Sequence, residues 1–163
     1  MNSTKGWSIT WAVIAFGLCL SISTAQADEP YDITVCGSAT WTSLIQSPEL
    51  SIMSIDYKGI ARSNVEGKFL DNCTVHHVRV TSMAMGKSTS HGFTKFLSPD
   101  GDALFVEVSE AGGEAMGEFL AGTGKWKGIR GHGKITPLAQ GRPVAPGTFQ
   151  NCVRHTGAFE LPE

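Results

Sequence analysis

Helical patterning is what this sequence lacks most. No long window keeps apolar side chains at i, i+3, i+4 and i+7 between capping residues, which excludes a helical bundle and an alternating α/β chain. A dominant sign of charge is missing too. The chain carries 13 Lys and Arg against 15 Asp and Glu, a formal net charge of −2. That balance excludes the basic face that a nucleic acid partner demands. Metal-ligand spacings are absent: there is no HxH and no HExxH, so neither a metal nor any other cofactor is expected. Beyond the N-terminus no apolar stretch is long enough to span a bilayer.

The N-terminus does hold one short apolar run, Trp11 to Leu20, after a basic residue at Lys5. It ends in an A-x-A site, Ala25-Gln26-Ala27. A basic start, a short apolar core and small residues at the cut describe a secretory signal peptide. Residues 1–27 are therefore read as the signal, and residues 28–163 as a single β-barrel domain, secreted or periplasmic. No membrane association is expected after cleavage. A lipid-anchored alternative fails on Leu18, a large residue directly before Cys19.

Cysteine is scarce. Cys36, Cys73 and Cys152 remain in the mature chain. In an oxidising compartment three cysteines make one disulfide and one leftover thiol. Cys73 and Cys152 each follow an Asn near the start of an expected strand, which favours that pairing. The alternative keeps all three reduced and buried.

What the chain has in quantity is period-two alternation. "TVHHVRVTSMAM", Thr74 to Met85, is rich in β-branched residues. "ALFVEVSE", Ala103 to Glu110, sets Leu104, Val106 and Val108 on one face and Phe105, Glu107 and Ser109 on the other. "EAMGEFLAG" from Glu114 and "NCVRHTGAFEL" from Asn151 read alike. Turn signals separate these runs: "SPDGD" at Ser98 to Asp102 and "EAGGE" at Glu110 to Glu114. Residues 28–32 are expected as a loose lead-in. "PLAQGRPVAPGTF", Pro137 to Phe149, is expected as a long loop because of its prolines and glycines. The sum is an all-β antiparallel barrel or sandwich of about eight strands.

Glycine concentrates in "GTGKWKGIRGHG", Gly122 to Gly133. A lysine among glycines invites a phosphate-binding reading. A Walker loop needs G-x-x-x-x-G-K-[ST], yet Trp126 follows Lys125, and Phe119 stands where the first glycine should be. A Rossmann fingerprint needs a helix after it, whereas "IRGHGKIT" alternates like a strand. The glycines instead suit sharp bends and close backbone approach in a curved sheet. Gly122–Gly128 reads as a turn carrying Trp126, and Ile129–Thr136 as a strand. Gly131 and Gly133 would leave room for a neighbouring ring.

This stretch, with "SPDGDALFVEVSE" and the "GGE" hairpin before it, resembles the late strands of allene oxide cyclase-like barrels, a group that includes dirigent proteins and a secreted bacterial branch. The likeness spans roughly residues 98 to 136. It implies an eight-stranded antiparallel barrel, often a trimer, with an apolar pocket in its mouth. It carries over no catalytic residue, so function by fold analogy is weak.

Candidate site residues come from strand faces. Glu118 lies between Met116 and Leu120, and Glu107 shares a face with Phe105. An inward carboxylate needs a partner such as Arg79, Arg130 or Arg154, or takes a proton. His76 and His77 point to opposite faces of one strand, so they cannot share a metal. The ligand-binding candidates are Glu118, Glu107, His77, Arg79 and Trp126. Three function classes fit: a barrel binding a small apolar or aromatic ligand, a cyclase or isomerase using the same pocket, and a structural or interaction barrel. The first is the favoured expectation, with a homo-oligomer as the expected assembly. Intact mass of the exported protein should begin at Asp28; a membrane-bound species retaining Met1 would contradict the signal reading.

Overall fold

The computed structural model describes residues 28–162. Eight strands follow one another: β1 (Glu29–Gln46), β2 (Leu50–Ser63), β3 (Thr74–Ala84), β4 (Lys87–Leu97), β5 (Ala103–Ala111), β6 (Glu114–Gly122), β7 (Arg130–Gln140) and β8 (Thr148–Glu160). Each pairs antiparallel with the next, and β8 returns to β1 to close a barrel. The expected barrel is what forms.

Up-and-down order puts alternate connections at opposite ends. The loops after β2, β4 and β6 share one end with the start of β1 and the end of β8, and that end is closed. Phe69 and Leu70, from the loop after β2, turn beneath the barrel. Leu70 is buried although its φ is +56°, a left-handed value that costs a branched side chain energy. Trp126 arrives from the loop after β6 on a single 3-10 turn, Gly124–Trp126. Phe69 stacks on Phe159 with centroids 4.0 Å apart, and Tyr31 and Phe119 complete the cluster. Aromatic rings bury more area than any other side chains, so this plug anchors the core.

The glycine-rich stretch serves this plug. Gly131 and Gly133 face inward on β7. A Cβ at Gly133 would collide with the Tyr31 hydroxyl, and one at Gly131 with the Phe119 ring. The missing side chains are where the rings sit. Lys125 meets no phosphate-like cradle; it pairs with Asp100 at 2.7 Å on the surface.

Three expectations need correction. Residues 28–32 are no loose lead-in, because β1 begins at Glu29 and pairs with β8 from the Glu29–Phe159 match onward. Asp32 fixes that start: its carboxylate grips the Arg154 guanidinium and accepts from Asn64 Nδ2 at 2.8 Å. The loop expected over Pro137–Phe149 shrinks to residues 141–147. Pro137 stays in β7 because β6 pairs with β7 only from Ala115–Ile135 to Glu118–His132, and a bulge follows Pro137. Its missing N–H has no strand to serve on that side.

The third correction concerns the disulfide. Cys152 bonds Cys36, not Cys73. Cys36 and Cys152 are directly opposed across the β1–β8 seam, with Cα atoms 4.1 Å apart. Among the described residues Cys73 is the free thiol, buried at the closed end just before β3, where burial pushes it up to about 11.

Gly133→Val should lower stability by roughly 2 kcal/mol or more, as overpacking does. Lys125→Ala removes only an exposed ion pair and should cost under about 1 kcal/mol. Thermal denaturation of the two variants checks this. A Lys125→Ala loss as large as that of Gly133→Val would reverse the account of the glycine stretch.

Candidate functional site

Plug residues fill the closed half of the barrel, but the mouth half is lined differently. Its inner faces carry Val35 on β1, Ile55 and Tyr57 on β2, Ala115 on β6 and Val153 on β8, mostly aliphatic and of modest size. A cavity of about 90 Å³ remains between them.

One strip of this cavity is polar. On β3, His77 and Arg79 alternate inward with Val75. His77 Nδ1 lies 2.8 Å from Thr94 Oγ1, its opposite number on β4. The Phe93 carbonyl also faces that ring. The Thr94 hydroxyl can accept from Nδ1 or donate to it, so His77 fits this contact in either neutral tautomer. Arg79 Nη1 donates to Glu110 Oε2 at 3.2 Å, while its buried Nε has no partner. Across the barrel, β8 supplies His155 and Asn151. Asn151 Oδ1 is also buried without a partner, and Tyr57 Oη donates to the Asn151 carbonyl at 3.5 Å.

Arg79 fits inside because its neighbour on β4 is glycine. A Cβ at Gly92 would strike the Arg79 side chain and the Val78 carbonyl. Sequence alternation thus builds the site on one strand, and a glycine opposite makes the space.

Burial disfavours charge here. It pulls His77 down to about 4, with Arg79 adding to the fall. It pulls His155 down to about 4 as well, with His77 as a second cause. Burial also pushes Tyr57 up to about 12. At neutral pH the cavity therefore presents two neutral imidazoles, a phenol and one Arg–Glu pair.

Of the five residues expected at a ligand site, His77 and Arg79 line this cavity. The other three do not. Glu118 lies on the outer wall, since Gly117 and Phe119 are the inward residues of β6. It faces Glu107, likewise outward, across the β5–β6 ladder. Glu107 is held by His91 Nε2 at 2.6 Å, and none of Arg79, Arg130 and Arg154 pairs with Glu118. Trp126 is buried in the plug, at the far end. Sequence reasoning missed His155, Tyr57 and Asn151. His155 carried one usable signal: it alternates with Val153 and Phe159 on a single face of β8.

Among the described residues, no group of three or more His, Cys, Asp or Glu is placed to hold a metal ion. No helix there is long and apolar enough to cross a membrane. The outer wall carries exposed apolar side chains, among them Val78, Val80 and Phe93.

No protein-family profile matches the chain, and no curated protein sequence is significantly similar. Among solved structures, the chain is similar to a pterocarpan synthase dirigent protein. The TM-score is 0.52 at 10% identity, over 98% of this chain and all of that one. The fold is therefore a dirigent-like, eight-stranded closed barrel. At that identity the likeness is one of fold, and no residue role crosses with it.

The two histidines make stability depend on pH. Unfolded, they protonate near 6.5; folded, they resist until about 4. The unfolded state binds more protons in that window, so stability is complete above pH 6.5 and falls as pH drops toward 4. Each imidazole accounts for up to about 3 kcal/mol. Urea denaturation at pH 7 and pH 4.5 should show the loss, and His77→Gln should reduce it. Equal stability at both pH values would refute the burial of neutral imidazoles.

Proposed function

We propose that this chain is an exported barrel that binds a small apolar or aromatic ligand in its mouth cavity. The observation that carries the reading is the cavity itself: largely aliphatic walls with a few polar groups, on β3 and, across the barrel, on β8. Ligand sites combine an apolar lining with a few placed polar groups in this way. Size narrows the class. At about 90 Å³ the cavity is well below the roughly 300–1,000 Å³ of drug-sized sites. It suits one ring, not a fused polycycle.

The surroundings support export. A disulfide persists in an oxidising compartment, and the N-terminal segment has the pattern of a signal peptide, although residues 1–27 lie outside the described residues. The similar barrel bears the name pterocarpan synthase, so a barrel of this fold can house small-molecule chemistry in that protein. A cyclase or isomerase reading rests on one feature here, the buried neutral imidazole of His77 on the cavity wall. The outer wall supports a homo-oligomer, a trimer on the family resemblance, joined through Val78, Val80 and Phe93.

Filling the cavity tests the ligand reading. Ala115→Phe should abolish binding of toluene and phenol in calorimetric titration while leaving the fold intact by circular dichroism. Glu118→Gln, on the outer wall, should leave binding unchanged. Undiminished binding by Ala115→Phe, or no binding of either probe by the wild type, would place the function elsewhere.

A further inference from the structure

We propose that the cavity selects a ring-sized carboxylic acid, held by Arg79 beside the imidazoles of His77 and His155 and taken up together with one proton. The inference rests on the cavity being a ligand site and adds the charge class of its ligand.

The argument starts from the guanidinium. Arg79 uses Nη1 on Glu110, and its Nε is buried without a partner. An unsatisfied buried donor beside a cavity calls for an acceptor. The Nε edge of a guanidinium offers two parallel N–H groups, the fork that a carboxylate fills with both oxygens. A hydroxyl or a carbonyl fills only half of it.

Charge accounting agrees. β3 contributes Arg79 and His77, β5 contributes Glu110 at the rim, β2 contributes Tyr57 and β8 contributes His155. β1, β4, β6 and β7 place no ionisable side chain on the cavity. His76, next to His77, points outward and pairs with Asp56 at 2.9 Å. Glu110 already offsets Arg79, so an arriving carboxylate leaves the cavity one negative charge in excess. An uncompensated charge in such a place is costly. His77 removes the excess. Thr94 occupies its Nδ1, and a neutral ring carries only one N–H; protonation guarantees an N–H at Nε2 to bond a carboxylate oxygen.

The same groups that hold His77 neutral in the empty cavity are then opposed by an adjacent anion. His155, close enough to feel the charge on His77, is the alternative acceptor for the same proton. Only one of the two can take it, because two imidazolium ions side by side repel. The step is a protonation from solvent: one N–H bond forms on imidazole, and no bond in the ligand changes.

Calorimetry on the mature, disulfide-bonded protein tests this with three probes of one size: benzoate, benzyl alcohol and toluene. Titrations at pH 7 in phosphate and in Tris, which differ in ionisation enthalpy, count protons. Benzoate should bind at least tenfold tighter than benzyl alcohol, with uptake of roughly one proton, and its Kd should rise about tenfold per pH unit from pH 6 to 8. Arg79→Gln should abolish the preference for benzoate and keep toluene binding. His77→Gln with His155→Gln should abolish proton uptake. The proton count on the wild type stands even where a variant fails to fold. Toluene binding without benzoate binding, or benzoate binding without proton uptake, overturns the proposal and leaves the ligand reading standing. No binding of any probe removes both.

Discussion

The β1–β8 seam holds the barrel shut, and shutting it sets the bore. Its register runs from Glu29–Phe159 to Thr40–Thr148 without a slip. The Cys36–Cys152 disulfide clamps its middle, and the Asp32–Arg154 pair clamps one end. An eight-stranded barrel is just wide enough for its own side chains to fill. Small choices inside it therefore decide between solid core and cavity. At the closed end the choice is rings, with glycines opposite to admit them. At the mouth the choice is mostly aliphatic side chains around a few polar ones, which leave space.

The disulfide and the cavity share the same stretch of wall. Cys36 and Cys152 project outward, while their neighbours Val35 and Val153, paired one step along the ladder, project inward and line the cavity. A covalent tie between adjacent strands removes freedom from that wall. The cavity thus stands against the most constrained part of the barrel. A quarter turn away the wall is tied more weakly, since β6 and β7 share only four residue pairs. His155 and Asn151 stand beside the tied seam, on β8.

Much of this was legible in the sequence. The strands from Thr74, Ala103, Glu114 and Asn151 form where alternation placed them, and the hairpin at Gly112-Gly113 joins two of them. The misplaced site residue Glu118 failed for a physical cause. Alternation shows which residues lie on a common face, but not which face is inside. Met116 and Leu120 made Glu118 look interior, yet the outer wall is partly apolar and the inward residues are Gly117 and Phe119. On β3 the apparent rule inverts: Val78 and Val80 face out, while His77, Arg79 and Thr81 face in. The disulfide failed for a different reason. Cys36 and Cys152 are 116 residues apart, and their pairing follows from strand register. No local pattern carries register across such a span.

Inward polar residues on an apolar-looking strand have a consequence of their own. A barrel built for stability alone would place Val78 and Val80 inside and the histidine and arginine outside. A one-residue slip of β3 would bring Val78 and Val80 in and Arg79 out, while burying His76 and exposing Val75. The register is instead held by Gly92, which leaves room for Arg79, and by His77 bonding to Thr94. The native arrangement keeps two imidazoles neutral by burial and leaves an arginine nitrogen without a partner. The first weakens the fold below about pH 6.5, and the second at any pH. Features that weaken a fold while being held by specific neighbours tend to mark functional sites. The strip of β3 that carries His77 and Arg79, both named from the sequence, is therefore the strip on which the proposed ligand site rests.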